Sequence, residues 1–273
     1  MTLNIFAAPH FLWRCFFIQY LKKRILKGLS TNEYLPKLEV CLSPALLHLY
    51  NTEGVVTVII DVFRATSTIA AALHNGATKV VPVADVAECI TIGSRLENSI
   101  TAGERDGKIA DGLQYGNSPS EYPSDFIKGK TLVLTTTNGT RLLHMVNGAA
   151  EIITGSFLNL TAATEFLIAQ KKPVLLACAA WKDRFNLEDT LFAGAVISRL
   201  SKHFTIRCDS AAAAIALEEH SGGDYFGFLK QSTHYHRLSN YGLVEDLKYC
   251  STPDLHPVVP VLRDECLVAY DDK

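Results

Sequence analysis

A carboxylate and an arginine stand close together where an apolar segment of the chain ends. Residues 55–61 read VVTVIID, which is typical of a buried strand, and Arg64 follows Asp61 by three residues. Thr66 and Ser67 then open an alanine-rich segment, which is typical of a helix. A carboxylate can bind a hard cation, whereas an arginine and a helix N-terminus attract a phosphate or a sulfonate. The pattern therefore predicts a site that binds a metal ion and an anion together.

Three further polar clusters follow other predicted strands. Glu104 and Arg105 repeat the pairing of an acid with an arginine, and a long segment rich in glycine, proline and serine comes after them. Residues 135–141 read TTTNGTR and present hydroxyl groups and backbone amides to an anion. Glu188 and Asp189 lie beyond another predicted strand, where they could bind a metal ion or exchange protons.

Ligands of α/β proteins bind beyond the carboxyl ends of parallel strands, so the four clusters predict one shared site. Each cluster also has a plainer interpretation as a helix cap, a turn or an ion pair on the surface. The candidate anion-binding residues are Arg64, Thr66, Ser67, Arg105, Asn117, Ser118, Thr136, Thr137, Asn138, Gly139 and Thr140.

Two other patterns carry less weight. Cys178 and Arg184 have the Cys-x5-Arg spacing of cysteine phosphatases, but no glycine lies between them and no serine or threonine follows the arginine. Cys178 is therefore predicted to belong to the core. His220, His234 and His236 lack the surrounding ligands of a zinc site and are predicted to be exposed residues of helices.

The segment around Asp61 is also similar to the signature of the haloacid-dehalogenase phosphatases. In that signature a second aspartate stands two residues after the nucleophile, and here this position is Phe63. The match therefore fails where acid–base catalysis would need it. Whether Asp61 is a covalent nucleophile or a metal ligand stays open, since both roles need a carboxylate at this strand end.

The elements that must position these residues alternate along the chain. Short apolar segments rich in β-branched residues alternate with helical segments, which favours a mostly parallel or mixed sheet covered by helices on both faces. We expect an α/β protein with three α/β/α layers, either as one unit or as two lobes divided near residues 150–160. The predicted strands are 38–42, 55–61, 78–83, 99–103, 131–136, 151–154 and 173–179, and the predicted helices are 66–74, 85–97, 139–146, 159–170, 187–201, 209–220 and 236–249.

The composition restricts the kind of protein. The chain has 273 residues, of which 48% are hydrophobic, so it can bury a sizeable core. Its formal net charge of −2 gives no support for nucleic-acid binding. The seven cysteines form no CxxC pair, which fits reduced thiols and a cytoplasmic location.

The first 36 residues differ from the rest of the chain. Residues 11–28 are aromatic and basic, but their apolar part is shorter than the roughly 20 residues that a membrane-spanning helix needs. A membrane-surface helix, a signal anchor and an extension outside the domain are the three interpretations. We favour the extension, and so expect no membrane attachment, because residues 37–44 (KLEVCLSP) read like the first strand of a domain that spans residues 37–273.

Taken in order, the polar clusters resemble those of the 2-phosphosulfolactate phosphatases. The motifs that carry the resemblance are DVFRATST at 61–68, AGER at 102–105, GNSP at 116–119, TTNGT at 136–140 and ED at 188–189. Each motif is short, but the order and spacing of all five hold from about residue 37 to the C-terminus.

The resemblance implies a Mg²⁺-dependent phosphomonoester hydrolase with an α/β fold of its own type. Its reaction would convert 2-phospho-3-sulfolactate and water to 3-sulfolactate and phosphate, a step of coenzyme M biosynthesis. Another small phosphorylated hydroxy acid is an alternative substrate, and a protein that binds a phosphorylated metabolite without catalysis is an alternative function. The resemblance also allows a homodimer.

Within this hypothesis the clusters take separate roles. Asp61, Glu104 and Asp189 are the expected ligands of Mg²⁺, while Asp61, Glu104 and Glu188 are the expected catalytic residues. Arg64 and Arg105 would hold the phosphate or the sulfonate, because a planar guanidinium suits both. The 135–140 turn would donate to the phosphoryl oxygens, and Glu188 would activate water or protonate the leaving alkoxide.

Overall fold

The strand that carries Asp61 lies inside one mixed sheet of eleven strands in the computed structural model, which describes residues 35–105 and 107–271. The order of the strands is β5-β4-β6-β3-β11-β10-β7-β2-β8-β1-β9. The strands are β1 (Lys37–Cys41), β2 (Val56–Ile60), β3 (Lys79–Val83), β4 (Ser99–Arg105), β5 (Lys108–Ile109), β6 (Thr131–Thr135), β7 (Glu151–Gly155), β8 (Val174–Cys178), β9 (Thr205–Ile206), β10 (Pro260–Arg263) and β11 (Cys266–Ala269).

The sheet contains two parallel blocks of opposite direction. One block holds β4, β6 and β3, and the other holds β7, β2, β8, β1 and β9. The antiparallel hairpin β10–β11 lies between them and pairs antiparallel with β7 and with β3. Since each of these three pairings reverses the direction, the carboxyl ends of the two blocks would lie at opposite edges of a flat sheet.

The contacts show that these carboxyl ends nevertheless meet. Gly139 follows β6, and a Cβ atom added to it would lie 2.7 Å from Oδ2 of Asp61, which follows β2. Each junction of the hairpin with a block has a single registered pair, Val261 with Ile153 and Leu267 with Val80. The sheet therefore bends sharply between the blocks, which such short junctions permit, and the bend creates the site.

Helices cover both faces of the sheet, as expected for an α/β fold. Val58 and Ile60 of β2 belong to one buried cluster and Ile59 to another, because side chains alternate along a strand. The first cluster includes residues of α6 and α7, and the second includes residues of α1 and α4. The helices are α1 (Ala65–His74), α2 (Val86–Arg95), α3 (Ser124–Ile127), α4 (Gly139–Met145), α5 (Leu160–Gln170), α6 (Leu187–Leu200), α7 (Asp209–Ser221), α8 (Tyr225–Leu229), α9 (Thr233–Ser239) and α10 (Val244–Cys250).

All seven predicted strands are confirmed, and most predicted helices are confirmed within a few residues. The helix predicted over 236–249 is wrong, because α9 ends at Ser239 and α10 begins at Val244. Gly242 between them has a φ of +78°, which a helix cannot contain. Strands β5, β9, β10 and β11 were not expected from the sequence.

Two expectations about the chain stay predictions. Residues 1–34 of the expected extension lie outside the described residues. The division into two lobes near 150–160 also stays a prediction. Among the residues that the structure describes, no helix has the length and apolar character needed to cross a bilayer.

Candidate active site

An open cavity lies where the carboxyl ends of the two blocks meet. Six of the predicted site residues line it: Asp61, Arg64, Glu104, Asn117, Thr136 and Asn138. The remaining described residues that line it are Phe63, Gly107, Trp181, His234, Arg237 and Leu238. Strand ends, the loop after β8 and helix α9 thus meet around one cavity.

Asp61 lines the cavity directly after β2, and 7% of its surface is exposed. Burial raises the pKa of its carboxyl well above the usual range, and the nearby Asp189 carboxylate raises it further. His234 acts in the opposite direction, and Glu104 and Glu188 add smaller increases. A cation or a proton beside Asp61 would therefore be bound favourably.

Arg64 is buried at the start of α1 and pairs with a carboxylate that the sequence did not indicate. Its Nη1 donates to Oδ2 of Asp246 in α10. Oδ1 of Asp246 accepts hydrogen bonds from Oγ of Ser118 at 2.7 Å and from Oγ of Ser120 at 3.3 Å. Asp246 thus fixes the guanidinium of Arg64 at the wall of the cavity and also holds the predicted residue Ser118.

Glu104 is held by the turn that follows β6. Its Oε1 accepts hydrogen bonds from N and Oγ1 of Thr137 at 3.2 and 3.0 Å, and its Oε2 accepts one from N of Gly107 at 2.9 Å. Arg105 donates to its neighbour's carbonyl oxygen, O of Glu104, and to Oγ1 of Thr135. Arg105 is not among the described residues that line the cavity.

The Thr136–Thr140 turn is closed by hydrogen bonds between its own residues. Oγ1 of Thr140 accepts from N of Thr136 at 3.3 Å and donates to O of Thr136 at 3.0 Å. Gly139 lies so close to Asp61 that a side chain there would displace the carboxylate. Oδ1 of Asn138 accepts a hydrogen bond from N of Lys182 at 3.3 Å, which ties the turn to the loop after β8.

Thr66 and Ser67 hold the segment between β2 and α1. Oγ1 of Thr66 accepts from N of Asp61 at 3.2 Å, and Oγ of Ser67 donates to O of Val62 at 2.9 Å. Both side chains are buried, and neither is among the described cavity-lining residues. Their hydroxyls orient the segment that carries Asp61.

Asp189 is completely buried and holds two loops together. Its Oδ1 accepts from N of Val62 at 2.9 Å, and its Oδ2 accepts from N of Ala180 at 3.1 Å and from Nδ2 of Asn186 at 2.8 Å. The pKa of Asp189 is raised to about 8, mainly by burial and further by the neighbouring Glu188, although the N–H donors act in the opposite direction. Among the residues that the structure describes, Asp189 does not line the cavity.

Glu188 is not among the described residues that line the cavity but contacts His234, which is. Its side chain is fully buried, and its Oε1 bonds with Nδ1 of His234, which lines the cavity. Oε2 of Glu188 has no hydrogen-bond partner within the described residues. The expectation that His234 is exposed is wrong, since 8% of it is exposed, whereas His220 and His236 are exposed as predicted.

The oxygen donors that line the cavity fit Mg²⁺. Among the described residues they include the carboxylates of Asp61 and Glu104 but not that of Asp189. Asp61 and Glu104 line the cavity, as does Asn117, whose buried Oδ1 has no hydrogen-bond partner in the part of the chain that is described. Mg²⁺ prefers such oxygen ligands and is usually held by one or two carboxylates together with water and phosphate oxygens. No group of three or more His, Cys, Asp or Glu side chains that could hold a metal ion occurs among the described residues.

Sequence reasoning missed or dismissed three polar or aromatic residues of the cavity, Trp181, His234 and Arg237, and also Asp246, which pairs with Arg64. All four lie in the second half of the chain. None follows a strand directly except Trp181, so the strand-end pattern did not select them. The spacing of His234, Arg237 and Leu238 on one helix face was the available signal. Cys178, by contrast, is buried in the core as predicted, and burial raises its pKa.

An α/β protein that gathers two carboxylates, two arginines and a hydroxyl-rich turn around one cavity has the site of an enzyme for small phosphate esters. A model of the 2-phosphosulpholactate phosphatase family matches residues 41–265. The chain belongs to this family and is a phosphoric monoester hydrolase.

Curated relatives support the assignment to this family. A probable 2-phosphosulfolactate phosphatase of Thermotoga petrophila is 44% identical over 75% of this chain and 88% of its own length. Proteins described in the same words are 35% identical in Clostridium perfringens, over 82% of this chain and 92% of the relative, and 38% identical in Synechocystis, over 74% and 87%.

The contacts of Asp189 predict a loss of stability that does not depend on a metal ion. In Asp189→Asn an amide N–H₂ must replace one oxygen, so a buried backbone N–H loses its acceptor. We expect the free energy of unfolding to fall by about 2 kcal/mol in urea titrations that contain EDTA. Asp183→Asn, which removes the charge of a half-buried carboxylate that pairs with the exposed Arg141, should change it by less than about 0.5 kcal/mol. If Asp189→Asn is destabilising only when Mg²⁺ is present, Asp189 is instead a metal ligand.

Proposed function

We propose that this enzyme hydrolyses 2-phosphosulfolactate to 3-sulfolactate and phosphate and depends on Mg²⁺. The observation that carries the proposal is the meeting of Asp61, Arg64 and Glu104 around one cavity in a member of this family. The relatives are described as probable 2-phosphosulfolactate phosphatases, and the cavity combines the cationic and anionic groups that such a substrate needs. The product would serve coenzyme M biosynthesis.

Asp61 and Glu104 are the residues that we propose to hold Mg²⁺, with Oδ1 of Asn117 beside them. When bound, the ion would neutralise charge on the phosphoryl group. Asp61 is suited to bind a cation, because it is buried near other carboxylates and a positive charge is therefore favourable there. Glu104 is kept in place by N–H and O–H donors of Thr137 and Gly107. We assign Asp189 to the positioning of loops.

Arg64 is the residue that we propose to bind the phosphate. A guanidinium carries five N–H donors, so the contact with Asp246 orients the group and leaves donors for phosphate oxygens. The turn after β6 adds Thr136 and Asn138 to the same wall. Such oriented donors stabilise the charge of the transition state more than water does, because they need no reorganisation.

His234 is the residue that we propose to give a proton to the leaving group. Because Nδ1 faces Glu188, the edge of the ring that lines the cavity carries Nε2. As the bond between phosphorus and the ester oxygen breaks, that oxygen takes the proton from Nε2, and Glu188 stabilises the ring in its orientation. The oxygen that completes the phosphate product comes from water, either directly or after transfer of the phosphoryl group to Asp61.

Purified protein should release phosphate from 2-phosphosulfolactate, and EDTA should abolish the activity until Mg²⁺ is added in excess. A colorimetric phosphate assay measures both effects. A comparison with 2-phospholactate tells whether another phosphorylated hydroxy acid is the better substrate. Full activity in EDTA would contradict the metal dependence. Thermal stabilisation by 2-phosphosulfolactate without any release of phosphate would indicate a binding protein instead.

The proposed role of His234 predicts a dependence on the leaving group. His234→Asn keeps a donor near Glu188 but removes Nε2. We expect kcat for 2-phosphosulfolactate to fall by about 10² to 10⁴, the range of general acid catalysis. With p-nitrophenyl phosphate, whose leaving group needs no proton, the loss should be below about tenfold.

His236→Asn is the matched control, because His236 is an exposed residue of the same helix. It should leave kcat unchanged with both substrates. Equal losses for both substrates in His234→Asn would show that His234 supports the structure of the cavity and does not protonate the leaving group.

A further inference from the structure

Arg237 lies on the cavity-facing side of α9, beside His234. The two residues are three positions apart and therefore share one face of the helix, and both line the cavity. Arg237 follows no strand, so its position depends on how α9 packs. It brings a second guanidinium to the cavity in addition to that of Arg64.

The guanidinium of Arg237 stacks on the indole ring of Trp181. Its Cζ lies 3.3 Å from the centre of the ring, which is close stacking with a cation–π contribution. Stacking fixes the plane of the guanidinium, so that its N–H groups point along that plane and not in all directions. A guanidinium held in this way is suited to bind two oxygens of one anion side by side.

The loop that carries Trp181 is itself fixed to the site. N of Trp181 donates to O of Arg184, and N of Arg184 donates to O of Trp181, both at 2.9 Å. On one side Ala180 donates to Asp189, and on the other side Lys182 donates to Asn138 of the turn after β6. Trp181 is therefore a rigid support for Arg237, because its two neighbours are anchored to the first turn of α6 and to the turn after β6.

We propose that Arg237, supported by Trp181, binds the second anionic group of the substrate, a sulfonate or a carboxylate near the phosphorylated carbon. This rests on the proposed function, because it assigns one anion of that substrate to each arginine of the cavity. Arg105, the second arginine that the sequence suggested, donates instead to O of Glu104 and to Oγ1 of Thr135. The apolar side chains of Phe63 and Leu238 line the same cavity and strengthen a charge-assisted hydrogen bond by excluding water.

The cavity would therefore select small phosphate esters that carry a second oxyanion. A phosphate ester without such a group makes no contact with the Arg237 guanidinium and gains no affinity from it. Isopropyl phosphate is a suitable comparison substrate, because it keeps the phosphorylated carbon of 2-phosphosulfolactate and lacks both the carboxylate and the sulfonate.

The test compares Arg237→Gln with the wild-type enzyme on these two substrates. We expect kcat/KM for 2-phosphosulfolactate to fall by about ten- to 100-fold, mainly through KM, as for the loss of a hydrogen-bonded charge. The value for isopropyl phosphate should change by less than about threefold. Trp181→Leu, which removes the support but keeps the charge, should give a smaller loss in the same direction. Equal losses on both substrates, or no loss on either, would overturn the proposal.

Arg184→Gln is the matched control, because it removes an exposed arginine from the same loop as Trp181. It should leave both values of kcat/KM unchanged. A thermal melt of each variant confirms folding.

Calorimetric binding of 3-sulfolactate separates this proposal from the proposed function. The compound carries no phosphate, so its affinity reports the second-anion site even if the protein releases no phosphate from any ester. Arg237→Gln should weaken its binding about ten- to 100-fold relative to the wild type and to Arg184→Gln. Equal affinities in all three proteins would overturn the proposal, whatever the activity.

Discussion

The burial of the Asp61 carboxylate among other acids is the constraint on which the rest of the structure depends. Burial and the Asp189 carboxylate both raise the pKa of Asp61, so in the absence of a bound cation its negative charge is unfavourable in the folded protein. Oriented hydrogen-bond donors lie around this charge. Asp246 holds Arg64 in place, and Glu188 holds His234. Backbone N–H groups donate to the carboxylate of Asp189. Such an arrangement favours binding of a cation together with an anion, at some cost in stability.

The bent sheet is what makes this concentration of charge possible. Asp61 follows β2 of one block, Glu104 lies at the end of β4 of the other, and a flat sheet would place them at opposite edges because the two blocks run in opposite directions. The hairpin β10–β11 joins the blocks through single registered pairs, and the turn after β6 comes within contact distance of Asp61. Helices α9 and α10 then close the open side with His234, Arg237 and Asp246.

The sequence was sufficient to predict those site residues whose positions depend on an adjacent strand. Asp61 directly follows β2, Glu104 lies at the end of β4 and Asn138 lies in the turn after β6, so a correct strand prediction placed them at the site. The hairpin was missed because its turn uses Asp264 and Glu265, both with positive φ, in place of the usual Asn-Gly or Asp-Gly signal. The partners of the site were missed because they depend on contacts between distant segments: Arg64 and Asp246 are 182 positions apart. No local pattern specifies such a pair.

The most direct test measures kcat and stability of Asp61→Asn together. A raised pKa means that folding favours the protonated carboxyl, so the ionised group costs stability as the pH rises above the ordinary range of an aspartate. The account therefore predicts that Asp61→Asn is at least as stable as the wild type in EDTA at pH 8, while kcat for 2-phosphosulfolactate with Mg²⁺ falls by at least about 10². A near-normal kcat, or a variant that is less stable than the wild type under these conditions, would contradict it.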